Sequence, residues 1–271
     1  MPAETTQSGL DLAVRAGQGR VVYQLDVAAF TPEGTWNAAL RHLPYLVDLG
    51  VEAVSSNSSG SLDAPGRARW IRACLERGIG VLIGAPVDGG PAPAVTLDSV
   101  LAATAQHGGD AEPDAELSVR RHRLLATLML TGPFTPVIRM GEEWSAGRPA
   151  GPDRARQQQP GHREMLGFYR RLIALHRAET PAHPSVPAEI SHGDGTVLIT
   201  RGDCVVVANL ASRRRRVSVP PWPRSVLLAS QVGVTLSADA VELPGESAAF
   251  VCYDHSRSPV RRVVQQAGAY S

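Results

Sequence analysis

Val21-Val22-Tyr23-Gln24-Leu25-Asp26-Val27, the turn Thr31-Pro32-Glu33-Gly34 and the run from Thr35 to Gly50 are the stretch on which the fold is read. The first seven residues are rich in the β-branched and apolar side chains of a buried strand. Proline and glycine two positions apart mark a turn. Thr35 can cap a helix in which Leu40, Leu43, Leu46 and Val47 share a face, and Gly50 is placed to end it. Residues 51–54 read as a second strand. Asp63 can cap a helix carrying Ile71, Cys74 and Leu75 as far as Gly78, and residues 79–83 read as a third strand. Strand, helix, strand, helix, strand predicts right-handed parallel β/α units.

Beyond residue 83 the rhythm breaks. Residues 84–93 are rich in glycine and proline and cannot continue a helix. Residues 99–104 are apolar enough for a strand, and a helix over 114–130 is expected to bury Leu117, Leu124, Leu125 and Leu128. A strand over 136–140 opens onto Gly141-Glu142-Glu143-Trp144, and a polar linker covers 145–160. The helix that follows is strongly periodic in Met165, Tyr169, Leu172, Ile173 and His176, with His176 read as a satisfied core histidine. From Pro181 the pattern changes to short β runs at 197–200, 204–210, 217–219, 226–228 and 248–253, the spacing of a small antiparallel sandwich. The expected organisation is a flexible leader (1–19), a shortened (β/α) barrel of about five parallel strands (20–180), a β-sandwich (181–254) and a flexible tail (255–271).

Composition narrows the chemistry. The chain has 271 residues, 43% hydrophobic, with a formal net charge of +1, which argues against a polyanion as partner and so against nucleic acid. All 27 basic residues are arginine. Without lysine there is no Schiff-base amine and no phosphate-loop lysine. No apolar run reaches the roughly 20 residues of a membrane span, and the N-terminal residues lack the apolar core of a secretory signal, so a cytoplasmic protein is expected. Cys74, Cys204 and Cys252 are scattered and read as reduced thiols, neither a disulfide framework nor a metal cluster. No spacing of His, Asp and Glu matches a zinc or calcium site, so neither metal nor cofactor is expected.

The segments carry a resemblance. Val22-Tyr23-Gln24-Leu25-Asp26-Val27 with Phe30-Thr31-Pro32-Glu33-Gly34-Thr35 resembles the first barrel strand and loop of maltooligosyltrehalose trehalohydrolases, in glycoside hydrolase family 13. Leu43-Pro44-Tyr45-Leu46-Val47-Asp48-Leu49-Gly50-Val51 resembles the helix that follows. Leu130-Thr131-Gly132-Pro133-Phe134-Thr135-Pro136 with Met140-Gly141-Glu142-Glu143-Trp144 is similar to the family's last strand and loop, and Phe168-Tyr169-Arg170-Arg171-Leu172-Ile173-Ala174-Leu175-His176 to its closing helix. The resemblance implies an α-glucan or trehalose pathway. It also implies a loss. A complete eight-unit barrel takes about 250 residues, and the family's fourth to sixth strands, which carry its nucleophilic Asp and acid/base Glu, have no counterpart between residues 88 and 97. The family's Asp and its Asn-His pair fall on Gly84 and Asp88-Gly89, and its transition-state Asp on Gly108, beside a retained His107.

A retaining glycosidase needs two carboxyl groups about 5–5.5 Å apart, and an inverting one about 6.5–9.5 Å. Barrel sites lie at the C-terminal strand ends, which makes Asp88, Glu142 and His107 the catalytic candidates and Tyr23, Asp26, His107, Glu142, Glu143 and Trp144 the ligand-binding ones. Trp36 and Trp144 can stack on a sugar ring or simply fill the core. Glu142 and Glu143 can serve a cleft or simply hold their loop. Arg120, Arg121 and Arg123 are expected to pair locally with upstream acids, and Arg213 to Arg216 to occupy a solvated turn or bind a phosphate. A shortened barrel leaves two strand edges to be covered, so either tight internal capping by the leader, linker or tail or a homodimer through them is expected, the homodimer ahead of the capping. The expected function is non-catalytic binding of an oligosaccharide or protein partner. The alternatives are a residual or repurposed α-glucosidic hydrolase and a structural assembly protein.

Overall fold

A computed structural model describes residues 20–56, 64–83, 94–96, 115–146, 150–179, 189–201, 203–219 and 223–253. The chain divides into two compact units, one of residues 1–100 and 129–184 and the other of 101–128 and 185–271.

The first unit holds five parallel strands: β1 (Val22–Gln24), β2 (Ala53–Ser56), β3 (Gly80–Ile83), β4 (Ala94–Thr96) and β5 (Thr135–Arg139), in spatial order β3-β2-β1-β5-β4. Val22 stands opposite both Ala53 and Val137, so the first strand is flanked by the second and the last. That order discriminates between parallel folds. In a doubly wound sheet the direction of strand addition reverses once, placing β4 beside β1. Here the steps β1 to β2 to β3 and β4 to β5 all run the same way. Right-handed crossovers taken in one direction put their helices on one face, which is the geometry of a barrel wall. Val22, Ala53, Leu82 and Val137 pack as one buried cluster.

Two local readings of the sequence are corrected. Thr35 does cap a helix, its hydroxyl accepting from the Ala38 N–H, but that helix, α2 (Trp36–Leu40), stops after five residues. A new helix, α3 (Leu43–Leu49), then starts with proline in its first turn and ends at Gly50 with φ 89°. Pro44 has no N–H to give the preceding turn, so one continuous helix is replaced by two. The strand through Val27 is also cut short. Asp26 accepts from Ala28 N–H and caps a single helical turn, α1 (Val27–Phe30). Trp36 on α2 packs against Trp70 on α4 (Ala64–Leu75), ring centroids 6.0 Å apart, both fully buried. After β5 come α6 (Arg154–Gln157) and α7 (Pro160–Glu179), which buries Met165, Phe168, Tyr169, Leu172, Ile173 and His176 as its spacing requires. His176 Nδ1 lies 2.6 Å from the Leu130 carbonyl oxygen. The fourth strand lies at Ala94–Thr96, and the stretch 99–104 falls outside the described residues.

The second unit is a two-sheet sandwich. One sheet is ordered β10-β13-β8-β7-β6 and the other β11-β12-β9. The strands are β6 (Glu189–Gly193), β7 (Thr196–Arg201), β8 (Cys204–Asn209), β9 (Arg215–Ser218), β10 (Pro223–Ala229), β11 (Thr235–Leu236), β12 (Ala240–Leu243) and β13 (Ser247–Tyr253). Val205, Val207, Ala249 and Val251 of the larger sheet meet Val217, Val241 and Leu243 of the smaller in one core. The β6, β11 and β12 strands were not marked in the sequence; β6 is exposed throughout and β11 has only two residues, so neither carries an apolar alternation. The Asn209 amide donates to the carbonyls of Arg213 and Pro244, at 2.8 Å each, pinning two turns together. Helix α5 (Ala115–Thr131) lies in this unit through residue 128. Arg120 pairs with Glu116 one turn away, as expected, whereas Arg121 reaches Glu246, 2.7 Å off and 125 residues along the chain. Local pairing therefore accounts for one of these arginines and a tertiary ion pair for the other.

Candidate functional site

The strand-end loop after β5 is built by its own carboxylates. Gly141, at φ 95°, turns the chain left-handed, a conformation that glycine adopts without a side-chain clash. A single 3-10 turn, Glu142–Trp144, follows and ends at Ser145, also left-handed. Glu142 Oε2 accepts from the Arg139 N–H at 3.0 Å, and Glu143 Oε2 from the Gly141 N–H at 2.9 Å. Adjacent glutamates thus splay apart, and each holds a main-chain donor of the loop.

Glu143 goes further into the protein. Its other oxygen accepts from Tyr23 at 3.0 Å and from Tyr45 at 2.5 Å, and the Gln157 amide donates in turn to the Tyr45 hydroxyl. Strand β1, helix α3 and helix α6 are thereby tied to one buried carboxylate. Burial lifts the Glu143 carboxyl to about 7, against the pull of its tyrosine and backbone hydrogen bonds. Burial, and then the neighbouring Glu143 charge, hold Tyr23 and Tyr45 well above the usual phenol range, so both remain donors at neutral pH.

This shift predicts a pH dependence. Over the window from about 4.5 to about 7 the folded chain keeps a proton on Glu143 that the unfolded chain releases. The contribution of this group to stability is therefore complete at the acid end and falls as pH rises to neutrality. Glu143→Gln, which cannot titrate, should flatten the profile of urea unfolding free energy over that window, and parallel profiles for the two proteins would refute the assignment.

Trp144 is likewise enclosed. Its indole is fully buried, the Arg156 guanidinium lies 5.2 Å over the ring, and the His162 ring meets it edge-on with centroids 5.2 Å apart. His162 Nδ1 also sits 2.6 Å from the Trp144 carbonyl oxygen. These neighbours occupy the surroundings a stacked sugar would need.

The sequence placed Tyr23, Asp26, Glu142, Glu143 and Trp144 at a ligand. The structure brings Tyr23 and Glu143 together, but inside the fold, and buries Trp144 beside them. Asp26 is exposed as a helix cap, and Glu142 is partly exposed on its loop. Asp88 and His107 lie outside the described residues. Tyr45 and Gln157, missed in the sequence, complete the cluster from 98 residues before Glu143 and from the helical turn after it. Tyr45 leaves no local pattern, because its partner is chosen by the packing of α3. Among the described residues no three His, Cys, Asp or Glu side chains come together to hold a metal ion, and no described helix is long and apolar enough to cross a membrane. Two of the clustered arginines are committed to the sandwich, Arg214 to the Gly233 carbonyl and Arg216 to Asp239.

No family model matches the chain. Sequence comparison finds malto-oligosyltrehalose trehalohydrolases: that of Mycobacterium tuberculosis is 36% identical over 92 residues, covering 26% of this chain and 16% of that protein. That of Arthrobacter ramosus is 58% identical over 36 residues, covering 13% and 6%. The match thus spans about a sixth of the length of the first of these relatives. Among solved structures, the debranching enzyme of Nostoc punctiforme superposes with a TM-score of 0.59 at 12% identity, covering 87% of this chain and 98% of that one. The maltogenic amylase of S. marinus gives 0.56 at 11% identity, covering 89% and 68%. At these identities the structural likeness establishes the fold alone, a shortened β/α barrel wall followed by a β-sandwich. The matched segments make the chain a shortened relative of the trehalohydrolases.

Proposed function

We propose that this shortened relative of the trehalohydrolases binds an α-glucan at its strand-end loops without hydrolysing it. The observation that carries the reading is the employment of the described strand-end carboxylates. Asp26 caps α1, Glu142 holds the Arg139 N–H, and Glu143 is sealed between two tyrosines and the Gly141 N–H. A hydrolase needs a carboxylate pair facing one bond across a cleft. The chain supports the same conclusion, since residues 84–93 alone join β3 to β4, and one β/α/β unit takes about 30 residues. Glu143 has the raised pKa of a general acid, but a carboxyl with no exposed surface has no route to a glycosidic oxygen. Asp26 and Glu142, which keep accessible surface, are the described groups left to meet a ligand.

Titration calorimetry with maltooligosaccharides and maltooligosyltrehalose, run beside an assay for released trehalose and reducing ends, tests this. Binding without release is expected. Release that disappears in the double variant Asp88→Ala, Glu142→Ala would overturn the proposal in favour of a residual hydrolase. Neither binding nor release would also overturn it, leaving an assembly role through the outer strands β3 and β4.

A further inference from the structure

Two of the three cysteines, scattered along the sequence, meet in space. Cys204 opens β8 and Cys252 is the penultimate residue of β13, and the antiparallel register sets them directly opposite each other. The ladder fixes which kind of pair this is. Tyr253 N–H donates to the Asp203 carbonyl at 2.9 Å, across the position next to the Cys252–Cys204 pair, so 252 and 204 occupy the non-hydrogen-bonded position of the ladder. At that position Cα atoms stand about 4.5 Å apart and the side chains approach most closely, inside the range a disulfide spans. The Sγ atoms are 2.6 Å apart. Val205 and Val251 point into the sandwich core, so by the alternation of a strand the two cysteines share the opposite face.

We propose that Cys204 and Cys252 form a redox-active dithiol that closes into a cross-strand disulfide on meeting a low-molecular-weight disulfide and reopens in excess thiol. Cys252 is partly exposed, whereas Cys204 is only 6% exposed, which assigns the order of events. The Cys252 thiolate attacks one sulfur of the small disulfide, forming a mixed disulfide and expelling one small thiolate. Cys204 Sγ then attacks Cys252 Sγ, closing the protein disulfide and expelling the second small thiolate. The two protons leaving the protein thiols are taken up by the two departing thiolates, and the two electrons lost by the protein reduce the small disulfide. The third cysteine is a built-in control. Cys74 is fully buried on α4, and burial pushes its thiol up to about 12, so it stays a thiol. Closure ties the end of β13 to the β7–β8 turn, across 48 residues of chain.

The full chain, reduced and then equilibrated in graded ratios of glutathione and glutathione disulfide, is quenched in acid, alkylated and weighed intact. The expected result is loss of two alkylation sites together at a single ratio, the protein lighter than its reduced form by about 2 Da before alkylation, with Cys74 still modified after denaturation. Cys252→Ser should lose no site at any ratio, and Cys204→Ser should stop at the mixed disulfide on Cys252. Wild-type protein in which both sites stay alkylated at every ratio, or which accumulates the mixed disulfide without closing, would overturn the proposal. Because the wild-type titration alone separates these outcomes, a variant that failed to fold would not rescue it.

Discussion

Glu143→Ala lowers the free energy of unfolding by about 3–5 kcal/mol, enough to leave a chain of ordinary stability partly unfolded at 37 °C. The magnitude follows from what the carboxylate satisfies. Its removal strands the hydroxyls of Tyr23 and Tyr45 and the Gly141 N–H, all of which donate to it. An orphaned buried donor costs about 1–3 kcal/mol, and the emptied volume adds a cavity term. Tyr23→Phe removes a donor and leaves the carboxylate two others, so about 1 kcal/mol is expected. Urea unfolding followed by circular dichroism measures both. A loss under 1 kcal/mol for the alanine variant would mean that water reaches the carboxylate and that it is not the clamp described.

Trp144→Ala is expected to cost a similar 3–5 kcal/mol, the usual range for emptying a buried aromatic site. The indole has no exposed surface and is bounded by Arg156 and His162. This variant also decides between the two roles the sequence allowed. A sugar platform would lose ligand affinity while the protein kept its unfolding midpoint, because an exposed ring contributes little to stability. A core residue loses the midpoint, and ligand binding changes only as folding does. Denaturant midpoint and oligosaccharide affinity measured on one preparation separate these, and an unchanged midpoint with abolished binding would return Trp144 to the ligand surface.

Much of this was legible in the residues. The parallel β/α rhythm, the helix with Met165, Tyr169, Leu172, Ile173 and His176 on one face, and the valine-rich strands of the sandwich are local periodicities, and local spacing is what a sequence displays. The break at Pro44 was missed: the apolar spacing of Leu40, Leu43 and Leu46 suggested one helix, although the missing N–H that divides it belongs to a single residue. Strands β6 and β11 were not legible, because exposed or two-residue strands lean on partners for their pairing and show no apolar alternation of their own.

The candidate site divides along the same line. The sequence by itself determined that two glutamates and a tryptophan follow the last barrel strand, and that the stretch between residue 83 and the next strand, read at 99–104, is too short for further β/α units. Which way those side chains turn was decided by tertiary structure. Gly141 and Ser145, both left-handed, fold the loop back so that Glu143 meets Tyr23 from β1 and Tyr45 from α3. The same holds for Arg121, which passes over its helical neighbours to reach Glu246, and for Cys204 and Cys252, set opposite each other by strand register. Partners separated by 98, 125 and 48 residues are brought together by sheet order and packing, which act on the whole chain at once, and no local stretch records them.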